Sequence, residues 1–153
     1  MSTSYIPKGY TSVVAAINMP NAAAAMEWYK RVFGAKEKMR LTEPDGKVAH
    51  GEIDIDGTVI MIAEENPAYN QSPETLHGTS VAFSIYVADA DASIQKAVDA
   101  GATLITAAAD QFYGDRTGRI KDPFGYKWMV STHIKEVSAE EMQRQLDEMF
   151  KGN

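Results

Sequence analysis

The residues of this chain whose types and spacing could do chemistry fall in two stretches. In VAHGEIDIDG, His50 and Glu52 stand two positions apart, with Asp54 next in the same alternation. A histidine backed by a carboxylate is a common acid–base arrangement, so the pair could move a proton. It could equally be a structural hydrogen-bonded pair, or a fragment of a metal site, for which two ligands are too few. The second stretch is QFYGDRTGRIKDPFGYKW, residues Gln111 to Trp128, where Tyr113, Asp115 and Arg116 supply a phenol, a carboxylate and a guanidinium. Arg116 could grip an anion in bidentate fashion, or pair with Asp115 or Asp122. His77 and His133 stand alone in the sequence and receive no role.

The elements that must position these groups read as follows. Ser12–Met19 is a strand ended by Pro20, and Asn21 caps a helix over Ala22–Phe33 whose apolar stripe is Met26, Tyr29, Val32 and Phe33. Gly34 suits the left-handed stop position. Strands follow at Glu37–Thr42, Lys47–Ile55 and Thr58–Glu64, the last two joined by Asp56-Gly57, a strong hairpin signal. Asn66–Thr79, rich in Pro, Asn, Ser and Thr, reads as a linker. The order then starts again: a strand at Ser80–Val87, a helix over Ala90–Ala100 capped by Asp89 and stopped by Gly101, and strands at Thr103–Thr106, Thr117–Lys121 and Tyr126–His133. Ser138-Ala139-Glu140-Glu141 is a capping box opening a final helix to about Phe150, with Met142, Leu146, Met149 and Phe150 on one side.

A shift of 68 residues lays Val13 on Val81, Ile17 on Ile85, Asn21 on Asp89, Gly57 on Gly125 and Met61 on Met129, while the helix-stopping Gly34 and Gly101 are 67 apart. Caps, stops and turns repeat together, which is the signature of a duplicated unit. The predicted fold is α+β: a single domain with βαβββ modules at 12–65 and 80–134, a linker at 66–79 and a C-terminal helix at 138–150. The two modules would form a curved, barrel-like cleft. A two-residue loop at Asp56-Gly57 sets Glu52 opposite Met61, so His50, Glu52 and Asp54 share the face of Met61. Applying the shift of 68 puts Arg116, Gly118 and Ile120 on the corresponding inward face. Asn18, Ser84 and Tyr86 join by parity, Lys127 and Ser131 flank Met129, and Tyr113 comes from the loop.

The totals narrow the function classes. A chain of 153 residues with 44% apolar and 24% charged residues suits one globular domain. The net charge of −6 and pI near 5.0 exclude a nucleic-acid surface built on clustered Lys and Arg. Cysteine is absent, so there is neither a disulfide framework nor a thiolate metal site. No apolar run reaches membrane-span length, and the polar start MSTSYIPKGY is unlike a signal peptide, so the expectation is a cytoplasmic protein with no membrane partner.

Paired βαβββ modules with EWYKRVFGA after the first strand and KDPFGYKW near the end resemble the vicinal oxygen chelate superfamily of glyoxalases, extradiol dioxygenases, fosfomycin-resistance enzymes and bleomycin-binding proteins. VAHGEI, DQFYGDRTGRIKDPFGYKW and THIKEVSAEEM resemble more narrowly its PhnB-like branch, which has also been labelled as similar to demethylubiquinone methyltransferases. The resemblance covers roughly Val13 to Met142. It implies a homodimer, and it implies that metal ligands, in the members that have them, would sit at Val14, Met61, Ala82 and Met129. None of these is His, Asp or Glu, and hard cations want carboxylate or imidazole. The expectation is therefore no metal and no cofactor. The leading reading is a binder of small molecules in the cleft, using Asn18, Met61, Tyr86, Tyr113, Arg116 and Met129. A second is a metal-free enzyme with His50 and Glu52 as acid and base on a carbonyl-type substrate. A third is a metal-dependent lyase or dioxygenase with relocated ligands. Methyltransferase activity fits least, for want of a Gly-rich loop after the first strand.

Overall fold

Strand alternation and helix stripes resolve into two open four-stranded sheets in the computed structural model, which describes residues 3–152. The first unit runs β1 (Ala15–Met19), α1 (Ala22–Phe33), β2 (Lys36–Thr42), β3 (Val48–Ile55) and β4 (Thr58–Glu64), with sheet order β1-β4-β3-β2. After the short α2 (Pro73–Leu76), the second unit runs β5 (Ala82–Tyr86), α3 (Ala90–Asp99), β6 (Thr103–Asp110), β7 (Asp115–Lys121) and β8 (Lys127–His133), in the order β5-β8-β7-β6. In each sheet the first strand pairs in parallel with the last, and the other pairs are antiparallel. The chain divides between Ser80 and Val81. Neither sheet closes into a barrel.

The helix starts and stops follow the local chemistry. Asn21 Oδ1 accepts the N–H of Ala24 at 3.1 Å, and Asp89 Oδ1 accepts that of Ala92 at 2.9 Å. Gly34 ends α1 at φ 67°, a conformation that costs a glycine nothing. Each helix covers one face of its own sheet. Met26, Trp28, Tyr29 and Val32 of α1 are buried with Ile17, Met19, Ile53 and Ile62. In the second unit Ile94 and Ala97 are buried with Ile120, Trp128 and Val130. Each large apolar side chain so buried contributes about 1.5–3 kcal/mol.

In each unit a helix side chain packs onto a glycine of the strand beneath, and at Gly118 the backbone of β6 also lies within 2.9 Å of where a Cβ would stand. A Cβ on Gly51 of β3 would lie 2.6 Å from Met26 Sδ, and one on Gly118 of β7 would lie 2.4 Å from Ile94 Cδ1. These glycines mark equivalent positions, and their numbers differ by 67.

The observed elements depart from expectation in three places. β1 starts at Ala15, leaving Ser12 to Val14 outside the sheet. β6 continues to Asp110 through two register shifts instead of ending at Thr106. The supposed linker holds α2, whose N-cap Ser72 is fully buried and whose start is tied to Glu65 through the N–H of Ser72. At the far end α4 (Ala139–Lys151) begins on Ser138, which accepts the N–H of Glu141 at 3.2 Å, and none of its residues is buried. Among the described residues no helix is long and apolar enough to cross a membrane.

Candidate functional site

The face of each sheet away from its helix carries the chemistry. In the first unit the two-residue loop forms with Ile55 opposite Thr58 and Glu52 opposite Met61. Ala16 lies beside Met61 and Asn18 beside Ala63 in the parallel pairing, so these share that face with His50 and Glu52. Glu52 is 4% exposed, and a carboxylate that far from water needs partners on both oxygens. It has them: Oε1 is 2.9 Å from His50 Nε2, and Oε2 accepts the hydroxyl of Tyr10, which folds in from the N-terminal arm. The His50 bond, then that to Tyr10, holds the Glu52 carboxyl below the usual range against the opposing effect of burial. The same contact pushes the Tyr10 phenol up, and Lys38 Nζ sits 4.4 Å above its ring. His50 is half-buried, so a group arriving from solvent could meet the imidazole while Glu52 backs it.

Asn18 donates to the carbonyl of Glu64 at 3.2 Å and helps to line an open cavity of about 680 Å³ at the ends of β1 and β4. Val48, Ala63, Glu64, Tyr69 and Asn70 also line it.

The second unit builds a parallel constellation from different positions. Asp115, also buried, accepts the Tyr86 hydroxyl on Oδ2 at 2.7 Å and faces His133 Nδ1 from Oδ1 at 2.7 Å. His133 Nε2 in turn lies 3.0 Å from Glu136 Oε1. Hydrogen bonding to Asp115, then to Glu136, raises the His133 pKa, and His133, then Tyr86, lowers that of Asp115 against its burial. Further along the same face the Tyr113 hydroxyl reaches Thr117 Oγ1 at 3.3 Å, and Thr117 and Ser131 share a buried bond of 2.8 Å. Met129 lies between Ser84 and Arg119. His133, given no role from the sequence, is held by Glu136 three residues on and by Asp115 across the strand pair. Only the pairing of β7 with β8, which sets Asp115 opposite His133, could have revealed the second contact.

Arg116 is the correction. It pairs with Thr132 and so lies on the helix side of its sheet, with Gly118 and Ile120. Its Nε and Nη2 reach the two oxygens of Asp91 on α3 at 2.6 and 2.9 Å, and Nη1 reaches Asp110 at 2.9 Å. The cause is the hairpin. Ile55 and Thr58 close over two residues, whereas Lys121 and Lys127 close over the five from Asp122 to Tyr126. The odd loop length moves β7 by one residue relative to the repeat, and a one-residue step reverses every side chain. The strand position that answers to Glu52 is therefore held by Arg119, opposite Met129 as Glu52 is opposite Met61.

Val14, Met61, Ala82 and Met129 offer no oxygen or nitrogen side-chain donor, and the thioethers are soft ligands poorly matched to hard divalent cations. Among the described residues no group of three or more His, Cys, Asp or Glu is placed to hold a metal ion. The residues at these positions do not fit the metal centre that the vicinal oxygen chelate resemblance implies.

Comparison with known proteins agrees with this architecture. Residues 11–130 match the family described as the Glyoxalase/Bleomycin resistance protein/Dioxygenase superfamily. An uncharacterised protein of Mycobacterium bovis is 37% identical over 136 residues, covering 86% of this chain and 90% of its own length. The solved structure of an Arabidopsis thaliana gene product superposes with a TM-score of 0.66 at 26% identity, over 80% of this chain and 98% of that one. A Bacillus cereus protein described as PhnB and as a 3-demethylubiquinone-9 3-methyltransferase shares the fold, with a TM-score of 0.64 at 13% identity over 80% and 99% of the two chains.

Proposed function

We infer that this chain, which belongs to the Glyoxalase/Bleomycin resistance protein/Dioxygenase superfamily, binds a small organic molecule on the helix-free side of its sheets, without a metal centre. The observation that carries the reading is the Tyr10–Glu52–His50 network beside Met61. A buried carboxylate is costly to place, and here it does no work for the helix-side core. It orients a half-buried imidazole at a surface where Met61, Ala16 and Ala63 supply the apolar part. Such a mixture of apolar floor and few convergent polar groups is the usual make-up of a small-molecule site. Asn18 and the cavity it lines extend the same surface.

A second reading has its own support. Glu52 behind His50 is the arrangement of an acid–base pair, in which the carboxylate stabilises the imidazolium formed when His50 takes a proton from a carbonyl-type substrate. Loss of turnover in His50→Ala with binding retained would select it. Within the superfamily we assign the chain to the PhnB-like branch, on its sequence motifs and on the fold it shares with the Bacillus cereus protein. The same reading takes the protein to be a cytoplasmic homodimer, for which the unburied apolar stripe of α4 is a candidate contact.

The test is a thermal-shift screen of small organic acids and carbonyl compounds, run with and without chelator. A ligand at a hundred times its Kd adds about 2.7 kcal/mol, which raises Tm by roughly 5–11 °C for a chain of this size. Met61→Lys should abolish the rise, and chelator should leave Tm unchanged. A rise that survives Met61→Lys refutes the location. One tightly bound divalent metal per chain refutes the metal-free reading.

A further inference from the structure

The second sheet carries three cations on its helix-free face that no carboxylate among the described residues answers. Lys121 of β7 lies directly opposite Lys127 of β8, and Arg119, two residues before Lys121, lies opposite Met129, so the three share that face. All three are exposed. Among the described residues none of them has an ion pair or side-chain hydrogen bond. Arg40, Arg116 and Arg144 show the alternative, each reaching two carboxylates.

Like charges directly opposite each other weaken a sheet. Carboxylates were not scarce, since Asp and Glu number 21 against 15 Lys and Arg. The nearest in sequence are spent elsewhere. Asp122 accepts the N–H groups of Phe124 and Tyr126 and the indole N–H of Trp128. Asp115, on the same face as Arg119 and four residues away at roughly 13 Å along the strand, is held by Tyr86 and His133. An anion able to neutralise Arg119, Lys121 and Lys127 must come from outside the unit's own sheet. Next to the cations along the face lie Met129 and Ser84, then the Thr117–Ser131 hydroxyls.

We propose that this face binds an amphipathic organic anion, a carboxylate or sulfonate with an aryl or alkyl body, its head on Arg119, Lys121 and Lys127 and its body over Met129. This names a ligand class for the small-molecule reading above and rests on it. The three cations supply a field and an apolar thioether supplies contact without fixed geometry, which suits a flat or flexible body.

The probe is 8-anilinonaphthalene-1-sulfonate, followed by its fluorescence at low salt, with the uncharged N-phenyl-1-naphthylamine as its body alone. Arg119→Gln/Lys127→Gln should raise the Kd for the sulfonate about tenfold and flatten its salt dependence. The charge-matched control Lys96→Gln/Lys151→Gln should leave it unchanged. Lys121→Gln alone should give a smaller rise, and serves if the double variant fails to fold by circular dichroism. Equal affinity in the variants and the control, or equal affinity of wild type for both dyes, overturns the proposal. Met61→Lys separates the two readings: sulfonate binding that survives it but is lost in Arg119→Gln/Lys127→Gln keeps this site even where the Met61 location fails.

Discussion

Replacing Asp122 by Ala should cost the second unit about 3–4 kcal/mol, because this one side chain ties the β7–β8 turn together. It is 2% exposed. Oδ1 accepts the N–H groups of Phe124 and Tyr126, and Oδ2 accepts Trp128 Nε1–H, each at 2.9 Å. Truncation leaves the buried donors of Tyr126 and Trp128 without that acceptor, at about 1–3 kcal/mol apiece, and loses a third bond to a charged group. Relief of the carboxylate's own desolvation offsets part of the sum. Asp122→Asn keeps one oxygen acceptor and should lose roughly half as much. The assay is urea unfolding followed by tryptophan fluorescence in a Trp28→Phe background, which leaves Trp128 as the reporter. Tm should fall by roughly 6–16 °C in the Ala variant. A loss below about 1 kcal/mol would refute the claim that the side chain, and not the Pro-Phe-Gly backbone, holds the turn.

Two further outcomes follow from the shifted groups. The Glu52 carboxyl is held below its usual range, so its contribution is present above about pH 4.5 and is lost as pH falls through its folded pKa. Glu52→Gln should therefore be less stable than wild type by about 1–2 kcal/mol at pH 7. Urea midpoints at pH 7, 5 and 3 should show the gap closing, and a constant gap would refute the coupling. His133 is raised, so its contribution is complete below about pH 6.5 and declines as pH climbs through the folded value. An NMR titration should place its midpoint above 6.5, with Asp115→Asn lowering it more than Glu136→Gln, since Asp115 is the larger cause. An unshifted midpoint would count against the Asp115–His133 contact.

Much of the fold was legible because its signals are local. Asn21, Asp89 and Ser138 cap helices whatever the rest of the chain does, since each oxygen reaches an N–H three residues on. Asp56-Gly57 fixed a register because both residues adopt positive φ, at 49° and 90°, as a two-residue hairpin requires. From that one loop the common face of His50, Glu52 and Met61 follows by counting. Tyr10 was not legible. It lies in a polar arm with no periodicity, 42 residues from Glu52, and only the folded arm brings its hydroxyl to the carboxylate. The same holds for Asp115 and His133, which meet across a pair of strands.

Arg116 went astray for a reason that the sequence also contains. Shifts of 67 and 68 coexist in the repeat: Gly34 and Gly101 differ by 67, Gly57 and Gly125 by 68. The extra residue must enter between them, and carrying 68 back onto β7 presumes that it enters before that strand. Gly51 and Gly118 decide the matter, because each takes a helix side chain directly against the strand, within 3 Å of where a Cβ would stand. They differ by 67, so the residue enters in the Asp122–Tyr126 turn, after β7. Counting from the glycines instead of the turns sets Thr117 on His50 and Arg119 on Glu52. Where the first unit places a buried carboxylate gripping a histidine, the second therefore places an exposed guanidinium with no ion pair among the described residues. The two units share strand order and helix contact but carry opposite charges opposite their methionines, Glu52 facing Met61 and Arg119 facing Met129 across the antiparallel pair.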